Sequence, residues 1–277
     1  GESSANWIFN VLTFFFYNQV LGLSGTLTSA AVTIGIISDA VTDPVMGSVS
    51  DRWRSKFGRR HPFMYAAPLP LIVSIYFIFN PPESLAGFAL FLWFAFFTVF
   101  MRLCSTLFSV PHLALGAALS EGSPERTRIM SYNTLFTYAG VVVMHAVVWF
   151  IIFPSYDNGR MMQEAYNPVV YFCASLIVIC MLFSAYGTQD QIPRMAKVPV
   201  DLAGFSLKQL FSDIRESLGN KNYRYLLFGL FSLSMTIGTH ETLSIYMDTF
   251  YWEFTDEQIG WRILGTALGY GLGFMAV

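Results

Sequence analysis

Stretches of about 20 predominantly apolar residues recur along this chain, each long enough to cross the hydrocarbon core of a bilayer as a helix. They run approximately over residues 3–21, 27–50, 62–80, 87–118, 131–153, 168–188, 223–249 and 258–277. Backbone groups cannot stay unpaired in hydrocarbon, so a chain with this rhythm is confined to helices that pack on one another. Composition agrees: of 277 residues 54% are apolar and only 12% are charged, about half the charged share of a soluble domain. That shortfall excludes an ordinary soluble fold, and 27 Phe with 14 Tyr exclude disorder. The chain reads as an all-α, multi-pass membrane protein.

The basic residues orient it. Of 16 Lys and Arg, five lie between spans two and three (Arg52, Arg54, Lys56, Arg59, Arg60) and two between spans four and five (Arg126, Arg128). Six more lie between spans six and seven or at the edge of span seven (Arg194, Lys197, Lys208, Arg215, Lys221, Arg224). All 13 fall on one face, which predicts loops 51–61, 119–130 and 189–222 to be cytoplasmic in a plasma (inner) membrane. The opposite loops carry only Arg160, while Arg102 and Arg262 lie inside spans. No initiating Met or short basic stretch precedes the first apolar run, so it is expected to be a retained span.

Residues 189–222 interrupt the rhythm with Pro193, Pro199 and polar side chains. They divide the chain into a bundle of six spans over 1–188, a cytoplasmic middle loop, and the start of a second bundle over 223–277. Within the loop, Ser206 to Gln209 has capping-box spacing and apolar Leu207, Leu210, Phe211, Ile214 and Leu218 follow up to Gly219. An amphipathic helix lying at the membrane interface is expected there.

Several function classes drop out. A net charge of −2 offers nothing to nucleic acid. Cys104, Cys173 and Cys180 have neither disulfide nor metal-site spacing, and His61, His112, His145 and His240 sit on different spans. With no nucleophile–base or metal cluster in view, an enzyme is not expected, nor a cofactor.

Charges inside a bilayer are expensive and mark function. Asp39 and Asp43 are four residues apart in span two, which puts both carboxylates on one helix face. Two like charges in low dielectric require a cation between them or a shared proton, so the pair is a candidate Na+ or H+ site. Ser38 and Thr42 add hydroxyl oxygens, and Pro44 frees a backbone carbonyl one turn earlier. The alternative is that the aspartates bond to neighbouring helices and fix packing. Span four carries Arg102, Ser105, Thr106 and Ser109 at helical spacing. Arg102 is either a substrate clamp or a counter-ion for the aspartates. Polar stripes on span one (Asn6, Asn10, Thr13, Tyr17), span five (Ser131, Thr134, Tyr138, His145) and span seven (Thr236 to Asp248) are expected to line a polar cavity.

The loop after span two carries Gly47, Asp51, Arg52, Gly58, Arg59 and Arg60. An aspartate is unfavourable at a helix C-terminus, so Asp51 is expected to have a cationic partner, sought in Glu125-Arg126-Thr127-Arg128. Such pairs at a helix end can hold one conformation shut, which makes these residues and Arg126 a candidate cytoplasmic gate.

The run Ser38-Asp39-Ala40 through Asp43-Pro44 to Gly47, with Asp51-Arg52 and Gly58-Arg59-Arg60-His61-Pro62-Phe63, resembles the helix-two signature of the glycoside-pentoside-hexuronide:cation symporters, the melibiose permease family of the major facilitator superfamily. Val110-Pro111 and Glu125-Arg126 resemble its second signature. The resemblance implies a twelve-helix, two-bundle transporter, here the N-terminal six-helix bundle plus the first two helices of the C-terminal one, coupling sugar uptake to Na+, Li+ or H+. It implies cation binding at Asp39, Asp43, Thr42 and Thr106. Ser109 falls where the family has a helix-four aspartate, Leu113 where it has a sugar-stacking tryptophan, and Thr134 near its helix-five arginine. The helix-one sugar aspartate falls near Ser3, with Glu2 adjacent. The expected function is cation-coupled symport of a sugar, glycoside or uronide by a monomer in the bilayer, with substrate contacts at Asn6, Asn10, Tyr17, Arg102, Thr134 and Tyr138. The alternatives are a carrier of an amphipathic lipid and a non-transporting sensor with the same fold.

Overall fold

The computed structural model describes residues 1–53, 55–118, 123–194 and 215–275. Arg54, the start of the 119–130 loop, and the middle loop from 195 to 214, with Lys197, Lys208 and most of the expected amphipathic helix, lie outside the described residues. Helices stand at all eight expected spans, and no strand occurs among the described residues. Helix α1 (Glu2–Trp7) continues through wider π-helical turns at Ile8–Thr13 and Phe16–Val20. Helix α2 (Gly25–Arg52) is capped by the Ser24 hydroxyl, which accepts from the Leu27 amide, and carries Pro44 within it. Span three is α3 (His61–Ala66) and α4 (Pro68–Phe79), broken at Ala67 because Pro68 has no N–H to continue the ladder.

Span four is α5 (Gly87–Ala118), and span five is α6 (Ser123–Val147) extended by a π-helical turn at Val148–Ile152. Span six is α7 (Tyr166–Gly187). Span seven is α8 (Lys221–Tyr246), capped by Asn220 and extended by a π-helical turn at Met247–Tyr251, and span eight is α9 (Asp256–Met275). Among the described residues five helices, Gly25–Arg52, His61–Phe79, Gly87–Gly116, Pro124–Ser155 and Gln163–Gly187, are long and apolar enough to cross a membrane.

The Lys- and Arg-rich loops define a basic end of the molecule, and the loops around 21–24, 80–86 and 153–165 define the far end. The aromatic core of the first six spans lies toward the far end. There the Phe16 ring is 5.2 Å from Phe79 and 4.5 Å from Tyr166, and Phe153 meets Tyr166 edge-on at 5.5 Å. At the basic end α7 is tied to span three, where His61 Nε2 is 3.0 Å from the Thr188 hydroxyl and Gln189 bonds Tyr65.

Helices α8 and α9 engage this core at the far end. The Tyr246 hydroxyl donates to Asn18 Oδ1 at 2.9 Å, Tyr246 packs edge-on against Phe15 at 5.3 Å, and Phe150 meets Trp261 at 5.1 Å. From Lys221 to Glu241 every residue of α8 is exposed. The contact between the first six spans and α8 is thus made at the far end, and α8 stands clear of them toward the basic end.

Candidate cation and substrate site

The site is built where α2 and α5 come closest. A Cβ on Gly35 would lie 2.5 Å from the Thr98 methyl, so only glycine permits this approach, and Gly47 faces Val110 further along. The approach sets the α5 polar stripe against the α2 aspartates. Arg102 Nη1 lies 3.5 Å from Asp39 Oδ2, and the Thr106 hydroxyl donates to Asp43 Oδ1 at 2.7 Å. The Arg102 guanidinium also stands 4.7 Å over the Phe9 ring of span one. Of the two roles open to Arg102 in the sequence, the geometry is that of a counter-ion.

The surroundings are polar but under-satisfied. Thr42 Oγ1 is buried without a hydrogen-bond partner, while the Ser38 hydroxyl donates to the Gly35 carbonyl at 2.6 Å. Asp43 is exposed on the α2 surface and Thr106 is buried behind it. Carboxylate and hydroxyl oxygens are hard donors, suited to an alkali cation or a proton. Ser109 is half-buried one turn beyond Thr106.

The structure does not bring every predicted residue here. Tyr17 is fully buried in the core: its hydroxyl donates to the Ile78 carbonyl at 2.7 Å and its ring stacks on Phe94 at 3.8 Å. Its polar end is consumed by a backbone bond that the stripe pattern of span one could not reveal. Asn6 is half-buried and Asn10 exposed. Thr134 donates back to the Met130 carbonyl at 3.0 Å, and Tyr138 is exposed along with the apolar Leu135 and Phe136. Glu2, which is not among the expected site residues, stands in the first turn of α1, beside Ser3, where the family's helix-one carboxylate falls.

At the basic end Asp51 has a cationic partner inside its own loop. Arg60 Nη2 lies 3.1 Å from Asp51 Oδ1, and Arg60 Nη1 donates to the Ala114 carbonyl of α5 at 2.6 Å. Burial pushes the Arg60 guanidinium below its ordinary range, the Asp51 bond holds it up, and neighbouring Arg59 adds a smaller downward push. The loop returns so tightly because Gly58 adopts φ +79°, a conformation glycine reaches without strain. Arg52 and Arg126 stand at the same end, each with interactions of its own.

A second charge cluster closes the far end. Arg160, 8% exposed, pairs with Asp256 at 3.2 Å and donates to the Phe254 carbonyl at 2.6 Å, while its own carbonyl accepts from the Tyr166 hydroxyl at 2.6 Å. Within the second group, Arg262 pairs with the buried Asp248 at 2.5 Å. Arg160 thus ties the loop after span five to the segment leading into α9, which accounts for a lone basic residue on that face.

A family model described as MFS/sugar transport protein matches residues 3–277. The uncharacterized symporter sll1374 of Synechocystis sp. is 28% identical over 190 residues, covering 66% of this chain and 34% of that protein. YagG of Escherichia coli, whose name proposes glycoside/cation symport, is 25% identical over 151 residues, 53% of this chain and 32% of its own. The sphingosine-1-phosphate transporter MFSD2B of Mus musculus is 27% identical over 186 residues, 62% of this chain and 36% of its own. The chain spans about a third of the length of each of these relatives. Its relatives are membrane transporters rather than enzymes. With helices at eight spans, the signature of the melibiose permease-like symporters on α2 and a match that runs the length of the sequence, this chain belongs to the MFS/sugar transport protein family.

Proposed function

We propose that the whole protein is a symporter that couples Na+ or H+ entry to uptake of a sugar, glycoside or uronide across the plasma membrane, with its basic end cytoplasmic. The observation that carries this reading is the pair of one-face carboxylates on α2, met from α5 by Arg102 at 3.5 Å and Thr106 at 2.7 Å. An intramembrane acidic pair needs positive charge, and a charge that enters with substrate is the purpose such a pair serves in a carrier. Asp39, Asp43, Thr42, Thr106 and Ser109 form the cation side. Asn6, Asn10, Thr134 and Tyr138 contribute to the substrate side, between the 1–188 bundle and the 223–277 helices.

The far-end contacts and the exposed basic-end half of α8 fit a carrier closed to the outside and open to the cytoplasm. Alternating access then requires Arg160 to leave Asp256 and the basic ends to meet, with the Asp51–Arg60 pair steering the ends of α2 and α5. One positive charge moving inward through 100 mV supplies about 2.3 kcal/mol, on the order of 40-fold accumulation.

An uptake screen of the whole protein against a sugar, glycoside and uronide panel, with and without Na+ at fixed pH, tests the reading. Uphill uptake is expected for at least one member and is expected to vanish in Asp43→Asn. Accumulation unchanged by that substitution refutes the coupling role. A second reading, transport of an amphipathic lipid, is favoured by the likeness to the mouse sphingosine-1-phosphate transporter. It is supported instead if the whole panel fails and labelled lysolipid is taken up.

A further inference from the structure

The two carboxylates of α2 are not equivalent. Resting on the cation-symport reading above, we propose that Asp39 is committed to Arg102, a cation tethered to the fold, and that the coupling ion is held on the Asp43 side by Asp43, Thr106 and Thr42. Arg102 is then a positioning residue: it removes one aspartate from competition and leaves the other for the ion.

The geometry separates the two acids. Arg102 Nη1 lies 3.5 Å from Asp39 Oδ2, and the guanidinium also stands 4.7 Å over the Phe9 ring. Phe9 is buried, and the Arg102 side chain is only 16% exposed. A planar cation engaged by both a ring face and a carboxylate is poorly placed to clamp a passing substrate. Among the described residues no cationic side chain is paired with Asp43. Among those residues its bonded neighbour is the Thr106 hydroxyl at 2.7 Å, and the adjoining Thr42 Oγ1 is buried with no partner.

Charge distribution points the same way. An ion placed midway between Asp39 and Asp43 would feel the Arg102 charge, a repulsion of roughly a hundredfold in binding at a separation near ~6 Å. Moving toward Asp43 relieves it.

Cation occupancy measured on the purified whole protein tests this, with radioactive sodium retained at mildly alkaline pH in one arm and proton uptake on acidification in the other. Asp39→Asn alone is expected to weaken occupancy by roughly a hundredfold, because the unpaired Arg102 charge then falls on Asp43. Adding Arg102→Gln to it is expected to return occupancy to within about threefold of native, since the two lost charges cancel. Arg102→Lys keeps the charge and stays near native, whereas Arg102→Gln alone gains a second sodium ion or proton. Size exclusion and thermal unfolding identify any variant that fails to fold.

A folded Asp39→Asn/Arg102→Gln protein no better than Asp39→Asn overturns the proposal, because Asp39 is then itself a ligand. So does unchanged occupancy in Arg102→Gln. Native occupancy in Asp43→Asn overturns it as well, whereas a native protein that retains neither sodium nor protons refutes the cation reading beneath it instead.

Discussion

Tyr17 shows how a single side chain separates site from scaffold. Its hydroxyl donates to the Ile78 carbonyl and its ring stacks on Phe94, so it acts within the core although its spacing with Asn10 and Thr13 marks it as cavity-lining. Tyr17→Phe is expected to cost about 1 kcal/mol of stability, the net value of one buried hydrogen bond. It is expected to leave the KM for substrate unchanged. Thermal unfolding and uptake kinetics of the same preparation check both halves, and a raised KM with unchanged unfolding would return Tyr17 to the substrate side. Asp39 and Asp43 were readable in the sequence because charge in a span is expensive wherever it occurs. The partner of each was not, because a helical pattern places a side chain on a face but does not say which helix that face meets.

Among elements, the α2–α5 pair decides whether the site exists. Gly35 lets the helices approach until its missing Cβ would be 2.5 Å from the Thr98 methyl, and Thr98 is itself fully buried. Gly35→Ala is expected to force the helices apart, at about 1–3 kcal/mol, and to draw Arg102 and Thr106 away from the aspartates. The measurements are the unfolding temperature and the cation dependence of uptake. Thr98→Ser removes the opposing methyl, so the double variant is expected to recover both. Gly58 is used differently: its φ of +79° turns the loop that brings Arg60 back onto Asp51 and the Ala114 carbonyl. Arg60→Ala is expected to loosen the basic ends of α2 and α5, read as faster proteolysis of the 51–61 loop, since it strands a partly buried carboxylate and a carbonyl together.

At the scale of the whole molecule, a clasp at the far end joins span five's loop to the last helix. Arg160 joins the loop after span five to Asp256, the first residue of α9, and to Phe254 ahead of it, and Phe15 packs on Tyr246 at the same end. Arg160→Asp is expected to open this end, so that a membrane-impermeant thiol reagent labels a cysteine placed at Phe15 at least about tenfold faster from outside. Adding Asp256→Arg is expected to restore protection. Labelling that stays slow in the single variant counts against the clasp. The sequence by itself determined eight helical stretches, the alternate loops that carry 13 of 16 basic residues, and which apolar stretches carry charge. Each follows from the transfer free energy of a segment considered alone. The tertiary structure alone decided that Arg102 answers Asp39, that Thr106 reaches Asp43 from 63 residues away, that Asp51 is met by Arg60, and that Tyr17 is core. Those are energies of contact between segments, and they arise only after glycine and threonine have set how near two helices can come.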